Sequence, residues 1–351
     1  MAGLFFDARY IRPDFHDGIS RFSANLFAAV ARVADVTAII SDESQLSKLP
    51  TGTKWVRIPA PTSALEPFAS LILNRYKPEV VFSPMQTIGS LGRRFKLVLT
   101  IHDLIYYRHP APPRSLPPLV RLGWRLYHLS YLPQRVLLRN CEAVACVSET
   151  TAEDLRQNRL TKKPLGIVYN APEGAVHGQV VRSPKKTLVY MGSFMGYKNV
   201  ETLIRGAGLL RGYRLQLLSP ISPERKASLQ RLAAESGAKV TFHEGVSDQE
   251  YAQLLDQATA LVSGSLDEGF GIPVVEALSR GVPVVLSDIP IFHEVAGDCG
   301  EYFAATDEKD FAAAVRRVAK NPREAHELIA QAKRFNWDAS AENLLALIRS
   351  L

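Results

Sequence analysis

Two glutamates flank a glycine-rich turn, and they are the residues of this sequence best suited to chemistry. Glu268 and Glu276 are separated by seven residues, with Gly269 and Gly271 in the turn. The apolar run before the turn predicts a buried strand, and Pro273 suits the first turn of a helix. Free N–H groups at a helix start bind phosphate, whereas the carboxylates would accept hydrogen bonds from hydroxyls. This combination suits a nucleotide sugar; the alternative is an ordinary strand–helix turn with solvated acids.

The stretch 268–277, Glu-Gly-Phe-Gly-Ile-Pro-Val-Val-Glu-Ala, resembles the signature of retaining glycosyltransferases of family 4. That family has the GT-B fold, in which two Rossmann-like domains face a cleft. The resemblance implies that Glu276 holds the ribose hydroxyls of a donor. It implies that Glu268 holds hexose hydroxyls or supports the face on which the new bond forms. Backbone N–H groups would face the phosphates at Gly269, Phe270 and Gly271.

A second strand, glycine turn and helix follow residue 187, and this turn contains a lysine. The family pattern here is Gly-Arg with a Lys five residues after the Arg. Lys198 matches the Lys, and its ammonium would offset the charge of the leaving group. Ser193 stands in place of the Arg in the donor site. Either Lys198 suffices or another cation compensates, with Arg205 as a candidate; by itself, Lys198 would more often be simply solvated.

Three positions outside these turns complete the predicted site. Thr-Ile-His-Asp-Leu around His102 resembles the family segment whose His bonds a hydroxyl of the transferred sugar. His102, with Asp103 as an orienting neighbour, therefore joins Glu268 and Lys198 as a predicted catalytic residue, although a lone His is more often structural. Gly18 resembles part of a loop that borders the donor diphosphate and the acceptor; a simple loop glycine is the alternative. In relatives, the residue matching Val246 lies beside the nucleobase.

Alternating strands and helices position these residues and predict an α/β fold with parallel sheets. The length of 351 residues favours two domains over one. The resemblance makes these the two Rossmann-like domains of the GT-B fold. The predicted divisions are an acceptor-side domain at residues 1–176, a linker at 177–186, a nucleotide-sugar domain at 187–335, and a C-terminal helix at 336–351 that crosses back to the first domain.

Composition and charge narrow the classes of protein. No signal peptide is expected before the first predicted strand, and no apolar run is long enough to span a bilayer. Three cysteines without paired close spacing argue against a disulfide framework or a zinc site. They fit a reducing cytosol, so a cytoplasmic location is predicted. The net charge of +7 is compatible with a nucleotide diphosphate, an anionic membrane or a nucleic acid.

Arginines alternate with leucines and aromatic residues from Arg121 to Arg139. A basic and aromatic helix suits peripheral contact with the inner face of a membrane. The interpretation preferred from the sequence is a core helix with a solvated basic face. Nucleic-acid binding would use the same residue types, but no recognised motif accompanies them, so no nucleic acid is expected.

The predicted function is a retaining, metal-independent hexosyltransferase that uses a nucleotide-diphosphate sugar and no cofactor. No Asp-X-Asp motif of the metal-using kind is present. A loose likeness to mannosyltransferases of surface polysaccharides indicates mannose from GDP-mannose, and the acceptor would be a carbohydrate or a lipid-linked glycan. One alternative is a non-catalytic nucleotide-sugar binding subunit, supported by Ser193. The other is a basic-surface protein that binds membrane or nucleic acid.

Overall fold

Short apolar runs form the strands of two parallel sheets in the computed structural model, which describes residues 3–14, 17–112, 117–173 and 185–351. Most of the predicted linker, residues 177–184, lies outside these ranges. The chain divides into one unit of residues 1–170 and 336–351 and another of residues 171–335. The strands, in chain order, are β1 Leu4–Asp7, β2 Val36–Ile40, β3 Lys54–Arg57, β4 Val80–Ser83, β5 Lys96–Ile101, β6 Ala143–Cys146, β7 Leu165–Ile167, β8 Thr187–Tyr190, β9 Arg214–Leu217, β10 Val240–Phe242, β11 Ala260–Ser263, β12 Val284–Ser287 and β13 Gly300–Phe303.

Helices connect these strands, as the alternating pattern predicts for an α/β fold. In chain order the α-helices are α1 Gly18–Val33, α2 Ala69–Leu73, α3 Ile105–Arg108, α4 Pro118–Tyr127, α5 Leu132–Arg139, α6 Glu149–Gln157, α7 Val200–Gly208, α8 Pro223–Ser236, α9 Asp248–Asp256, α10 Ile272–Ser279, α11 Pro290–Ala296, α12 Glu308–Lys320, α13 Ala325–Ala332 and α14 Trp337–Arg349. Among the described residues, no helix combines the length and apolarity needed to cross a membrane.

Both sheets have the strand order of a doubly wound fold. The first unit has the order β3-β2-β1-β4-β5-β6-β7, and the second has β10-β9-β8-β11-β12-β13. Every residue of β4, β6 and β12 is buried, because helices cover both faces of a parallel sheet. Strand order reverses between β1 and β4 and between β8 and β11. Ligands of open α/β sheets bind beyond the carboxyl ends of the strands at such a reversal.

The last helix belongs to the first unit. Helix α14 packs on α1 and β7, and the hydroxyl of Ser340 donates to the Tyr169 carbonyl over 2.8 Å. Leu344 is fully buried in this contact. The C-terminal segment therefore completes the core of the unit in which the chain begins.

Two local expectations were wrong. Gly18 is not a loop residue; it is the first residue of α1, because Asp17 caps the helix by accepting from the Ser20 amide at 2.9 Å. The core-helix interpretation of the basic region fails for α4, in which no residue is buried. Its leucines face solvent, and Leu119 is 80% exposed. In α5, Gln134 and Leu138 are buried, so only this helix contributes to the core.

Candidate active site

The glycine-rich turn has the strand, turn and helix geometry that the sequence predicts. It joins β11 to α10, and Gly271 occupies the N-cap position with a φ of +88°. A Cβ at Gly271 would lie 3.0 Å from the Phe292 ring, so this left-handed residue has both a backbone and a packing reason to be glycine. Gly269 and Phe270 are buried, and the Phe270 ring packs edge-on against Phe335 with centroids 5.4 Å apart. The Phe270 side chain thus anchors the turn.

Lys198 and Glu268, two of the predicted catalytic residues, form an ion pair in the second unit. Nζ of Lys198 binds Oε1 of Glu268, and each side chain is only 14% exposed. The same carboxylate oxygen accepts from the hydroxyl of Ser265 at 3.0 Å. Lys198 follows β8 and Glu268 follows β11, so the pair lies where strand order reverses. A partly buried cation and anion are thereby held at the edge where a ligand is expected.

Asn199 holds the Lys198 turn in place, and the sequence reasoning missed it. Its φ is +49°, a left-handed conformation that asparagine tolerates better than most residues. Its Nδ2 donates to the Gly264 carbonyl at 3.0 Å and to the Ala305 carbonyl at 2.6 Å. The asparagine between a lysine and a helix start was the available signal. It fixes the lysine turn against the turn that contains Glu268.

Ser193, where the family pattern has an arginine, is exposed. Its carbonyl accepts from the Tyr190 hydroxyl at 2.5 Å. Arg205, the predicted compensating cation, is exposed in the last turn of α7, about 10 Å along the helix axis from the lysine turn. The cation beside this turn is instead Arg225, whose Nε donates to the Phe194 carbonyl at 3.2 Å. Arg225 lies far from Ser193 in sequence, and no local pattern marks it.

The two remaining predicted donor residues are half-buried on separate elements. Val246 follows β10 after a turn in which Glu244 and Gly245 both have positive φ values. The Gly245 amide donates to the Leu218 carbonyl at 2.9 Å, which fixes this turn against the end of β9. Glu276 lies in α10, between the buried residues Val275 and Ala277. Their predicted contacts with base and ribose stay predictions.

His102, in the first unit, follows β5 and is held by the backbone. Its Nε2 lies 2.7 Å from the Pro84 carbonyl oxygen, and its ring packs edge-on against Phe22. Burial lowers the pKa of His102 below its ordinary value, against the opposing effect of the Pro84 hydrogen bond. A carbonyl can only accept, so the neutral imidazole carries its proton on Nε2 and presents Nδ1 as an acceptor. Asp103, its predicted orienting neighbour, accepts from the Ile105 amide at 3.0 Å.

A cavity of about 160 Å³ lies beside His102 in the first unit. Its lining includes Ile19, Gln86, Tyr106, Tyr107 and His128. Gly18 directly precedes Ile19, one of these lining residues, in the sequence. The N-terminus of its helix carries the Asp17 carboxylate, which also binds Arg12 at 3.0 Å. The Asp17 carboxylate would repel a phosphate at this helix start. The predicted contact between Gly18 and the donor diphosphate stays a prediction. Aromatic walls and amide and imidazole groups suit a sugar ring, which has both apolar and hydroxyl surfaces.

Two family models match the chain in succession. Glycosyltransferase Family 4 matches residues 17–171, and Glycosyl transferases group 1 matches residues 177–335. Between them they cover most of the chain, and each falls mainly within one of the two structural units.

Characterised relatives share sequence over different lengths of the chain. The O-antigen chain mannosyltransferase RfbU of Salmonella typhimurium is 26% identical over 329 residues, covering 87% of this chain and 88% of that protein. The MMP alpha-(1->4)-mannosyltransferase of Mycolicibacterium hassiacum is 28% identical over 286 residues, covering 74% and 66%. The GDP-mannose:cellobiosyl-diphosphopolyprenol alpha-mannosyltransferase of Xanthomonas campestris is 37% identical over 130 residues, covering 35% and 34%.

Solved structures share the fold at low identity. Sucrose-phosphate synthase from Thermosynechococcus elongatus has a TM-score of 0.72 at 18% identity and covers 99% of this chain and 98% of its own. HepE of Anabaena in complex with UDP-glucose has a TM-score of 0.75 at 15% identity and covers 99% of both chains. Identities this low show the fold alone, which is GT-B. Together with the two family models, they show that this chain is a GT-B glycosyltransferase belonging to glycosyltransferase family 4.

Proposed function

We propose that this glycosyltransferase moves mannose from GDP-mannose, with retention and without a metal, to a lipid-linked glycan acceptor in surface glycan synthesis. The observation that carries the proposal is the Lys198–Glu268 pair at the strand-order reversal of the second unit. It supplies a cation for a diphosphate and an acceptor for sugar hydroxyls at the edge where α/β sheets bind ligands. The backbone of the turn around Gly271 supplies N–H groups beside them.

Donor binding would change the partner of Lys198. Its ammonium exchanges the Glu268 carboxylate for an oxygen of the diphosphate and stabilises the charge that develops there as the sugar–phosphate bond breaks. Glu268, released from the lysine, accepts a hydrogen bond from a hexose hydroxyl. Glu276 holds the ribose hydroxyls, and Val246 lies at the base. Neither glutamate acts as a nucleophile.

Retention follows if the acceptor attacks the face that the diphosphate leaves. The acceptor oxygen forms the new bond to the anomeric carbon, the bond to the diphosphate oxygen breaks, and the acceptor proton passes to the leaving phosphate. The products are the glycoside and the nucleoside diphosphate. Nδ1 of His102 accepts a hydrogen bond from a hydroxyl of the transferred sugar, since its Nε2 is engaged by Pro84.

The choice of donor and acceptor is supported by the relatives. The three described above are mannosyltransferases by name, and the name of the Xanthomonas enzyme gives GDP-mannose as donor and a diphosphopolyprenol-linked acceptor. These names motivate GDP-mannose and a lipid-linked acceptor here. In the mannose-transfer assay, a neutral or soluble carbohydrate is tested as the comparison acceptor.

Peripheral contact with the cytoplasmic face of a membrane completes the proposal. An apolar ridge on α4, α5 and the turn between them presents its side chains to solvent; it consists of Leu119, Leu122, Leu126, Leu129 and Leu132. Arg125 and Arg139 are exposed on the same two helices and would attract anionic headgroups. A ridge of this kind suits the interface where a lipid-linked acceptor resides.

The test of the donor assignment is calorimetry with GDP, UDP, ADP and their sugar conjugates, in chelator and without added metal. We expect selective binding of GDP and GDP-mannose, and transfer of mannose to a polyprenyl-diphosphate-linked glycan with retained anomeric configuration by NMR. Glu276→Ala should weaken donor binding at least about tenfold, because the hydrogen bonds of its carboxylate to the ribose hydroxyls are lost. Tight binding without turnover would instead favour a non-catalytic subunit, and no nucleotide binding would contradict the proposal.

A further inference from the structure

We infer that Arg225 supplies the second cation for the donor diphosphate, in place of the arginine that the family pattern has at position 193. The inference rests on the proposed function, because it names a residue of the same donor site. Ser193 has no charge to offer, and Arg205 is exposed at the far end of α7. The fold instead brings the guanidinium of Arg225 to the turn that contains Ser193.

The position of Arg225 follows from the strand order. It lies in the first turn of α8, where its amide donates to the Ser222 hydroxyl at 3.3 Å. Helix α8 follows β9, and β9 is the neighbour of β8. The guanidinium therefore reaches the turn after β8, where Nε donates to the Phe194 carbonyl. Phe194 is the residue next to Ser193, and the same turn ends in Lys198.

Arg225 and Glu268 both influence one tyrosine hydroxyl, that of the buried residue Tyr190. The Tyr190 hydroxyl donates to the Ser193 carbonyl at 2.5 Å, which places it under the turn. Burial raises the pKa of Tyr190, Glu268 and Glu201 raise it further, and Arg225 lowers it. The charges of Arg225 and Glu268 thus act on the same hydroxyl, and Arg225 and Lys198 both belong to the surroundings of this one turn.

The charge of Arg225 is balanced by a glutamate, as the charge of Lys198 is balanced by Glu268. Its Nη1 binds Oε1 of Glu201 at 2.7 Å, and the arginine side chain is 25% exposed. Burial raises the pKa of Glu201, but the hydrogen bond and charge of Arg225, a backbone hydrogen bond and the charge of Arg205 together lower it overall. The contacts found within the described residues use Nε and Nη1 of the five-donor guanidinium fork. The fork can therefore bind a phosphate oxygen while it stays anchored to the turn.

The test compares nucleotide binding in Arg225→Gln and wild-type protein by calorimetry. We expect the variant to bind GDP about tenfold or more weakly, since a charge-assisted bond to phosphate is lost. GMP, which lacks the second phosphate, should lose much less affinity. Arg231→Gln, on the exposed side of the same helix, is the matched control and should bind GDP like wild type.

A second variant separates charge from turn geometry. Ser193→Arg in the Arg225→Gln background restores a cation at the family position, and we expect it to recover most of the GDP affinity. Failure to recover would show that Arg225 acts by holding the Phe194 carbonyl, which overturns the inference. Glu201→Gln should release Arg225 and tighten GDP binding, and it serves if Arg225→Gln does not fold.

The outcomes distinguish this inference from the proposed function. If wild-type protein binds no nucleoside diphosphate, the proposed function fails. If wild type binds GDP and Arg225→Gln binds it equally well, the donor site stands and the assignment of Arg225 is wrong. Unchanged GDP affinity in Glu201→Gln would count against Arg225 in the same way.

Discussion

Two glutamate–cation pairs, Lys198–Glu268 and Arg225–Glu201, lie in the proposed donor site of the second unit. Each cation is neutralised before any phosphate arrives, so an incoming diphosphate must compete with a carboxylate. Charge balance keeps partly buried ions from being left unpaired, which would be costly. The consequence is that removing a carboxylate and removing a cation should have opposite effects on nucleotide affinity.

Glu268→Gln separates donor binding from chemistry. The change frees Lys198 from its ion pair, so GDP should bind as tightly as in wild type or up to about tenfold more tightly. Turnover should fall about 100-fold or more, because the amide cannot replace the charge of the carboxylate at the sugar. Calorimetry and initial rates measure the two effects, and Glu235→Gln, exposed on α8, is the control. Weaker GDP binding in Glu268→Gln would refute the exchange of partners.

His102 predicts an acid limit to turnover. Burial lowers the pKa of His102 below its ordinary value of about 6.5, so the imidazole is neutral at pH 7 and Nδ1 can accept a hydrogen bond from the sugar. Activity should persist as pH falls through 6.5 and decline only below the lowered pKa, where the ring becomes charged. His102→Ala should lower the rate about 100-fold, change GDP affinity little, and lose this acid limb.

A pH–rate profile in single turnover measures this limb. His326→Ala, on the exposed side of α13, should keep the wild-type profile. A profile of His102→Ala that matches wild type would show that another group sets the acid limb. If His102→Ala weakens GDP binding more than it lowers the rate, the proposed contact between His102 and the transferred sugar is wrong.

At the scale of secondary-structure elements, the sequence predicted the buried strands, because burial on both faces requires a continuous run of apolar residues. Strands such as β4 and β12, and the turn that leads into α10, are recognisable for this reason. Strand β3 was missed because it is an edge strand in which three of the four residues are exposed. The periodicity of α4 shows that it has two unlike faces, but it does not show which face the protein covers. Arg225 was missed because its contact with the Phe194 turn joins residues far apart in sequence.

The apolar ridge should bind anionic vesicles. Leu122→Gln with Leu126→Gln removes two exposed side chains, so folding should be unaffected, whereas membrane partitioning should weaken about tenfold or more. Cosedimentation with vesicles that contain anionic lipid measures this, and neutral vesicles test the part played by the arginines. Leu65→Gln with Leu209→Gln, exposed elsewhere, is the matched control. Equal partitioning of both double variants would exclude the ridge as the contact surface.

Gly271→Ala tests the turn that begins α10. The φ of +88° and the 3.0 Å approach of a Cβ to Phe292 should cost about 1–3 kcal/mol of stability. GDP affinity should fall as well, because the N–H groups of the turn move. Gly123→Ala in α4, where a Cβ meets nothing within 4 Å, should leave stability unchanged or raise it slightly. Denaturant unfolding and calorimetry measure both, and a neutral Gly271→Ala would show that the turn relaxes freely.

For the whole molecule, GT-B neighbours at 15% and 18% identity show that the architecture depends on burial pattern and strand order far more than on particular residues. The sequence therefore allowed the class of fold and most strands to be predicted. The site depends on a few side chains. Where Ser193 replaces the arginine of the family pattern, we infer that the positive charge comes from Arg225, which the local sequence pattern does not reveal. Family resemblance supplied the positions of Lys198 and Glu268, and the fold supplied their pairing.

The return of α14 to the first unit predicts that the two units lose structure separately. Leu344 is fully buried where α14 packs on α1 and β7, so Leu344→Ala should destabilise the first unit by about 2–5 kcal/mol. Hydrogen exchange should speed up in α1 and β7 and stay unchanged in α10, because the donor turn belongs to the other unit. GDP affinity should persist while mannose transfer fails. Leu65→Ala, exposed in the first unit, is the control. Equal loss of protection in α10 would show that the units unfold as one, and the donor site would then depend on the C-terminal helix.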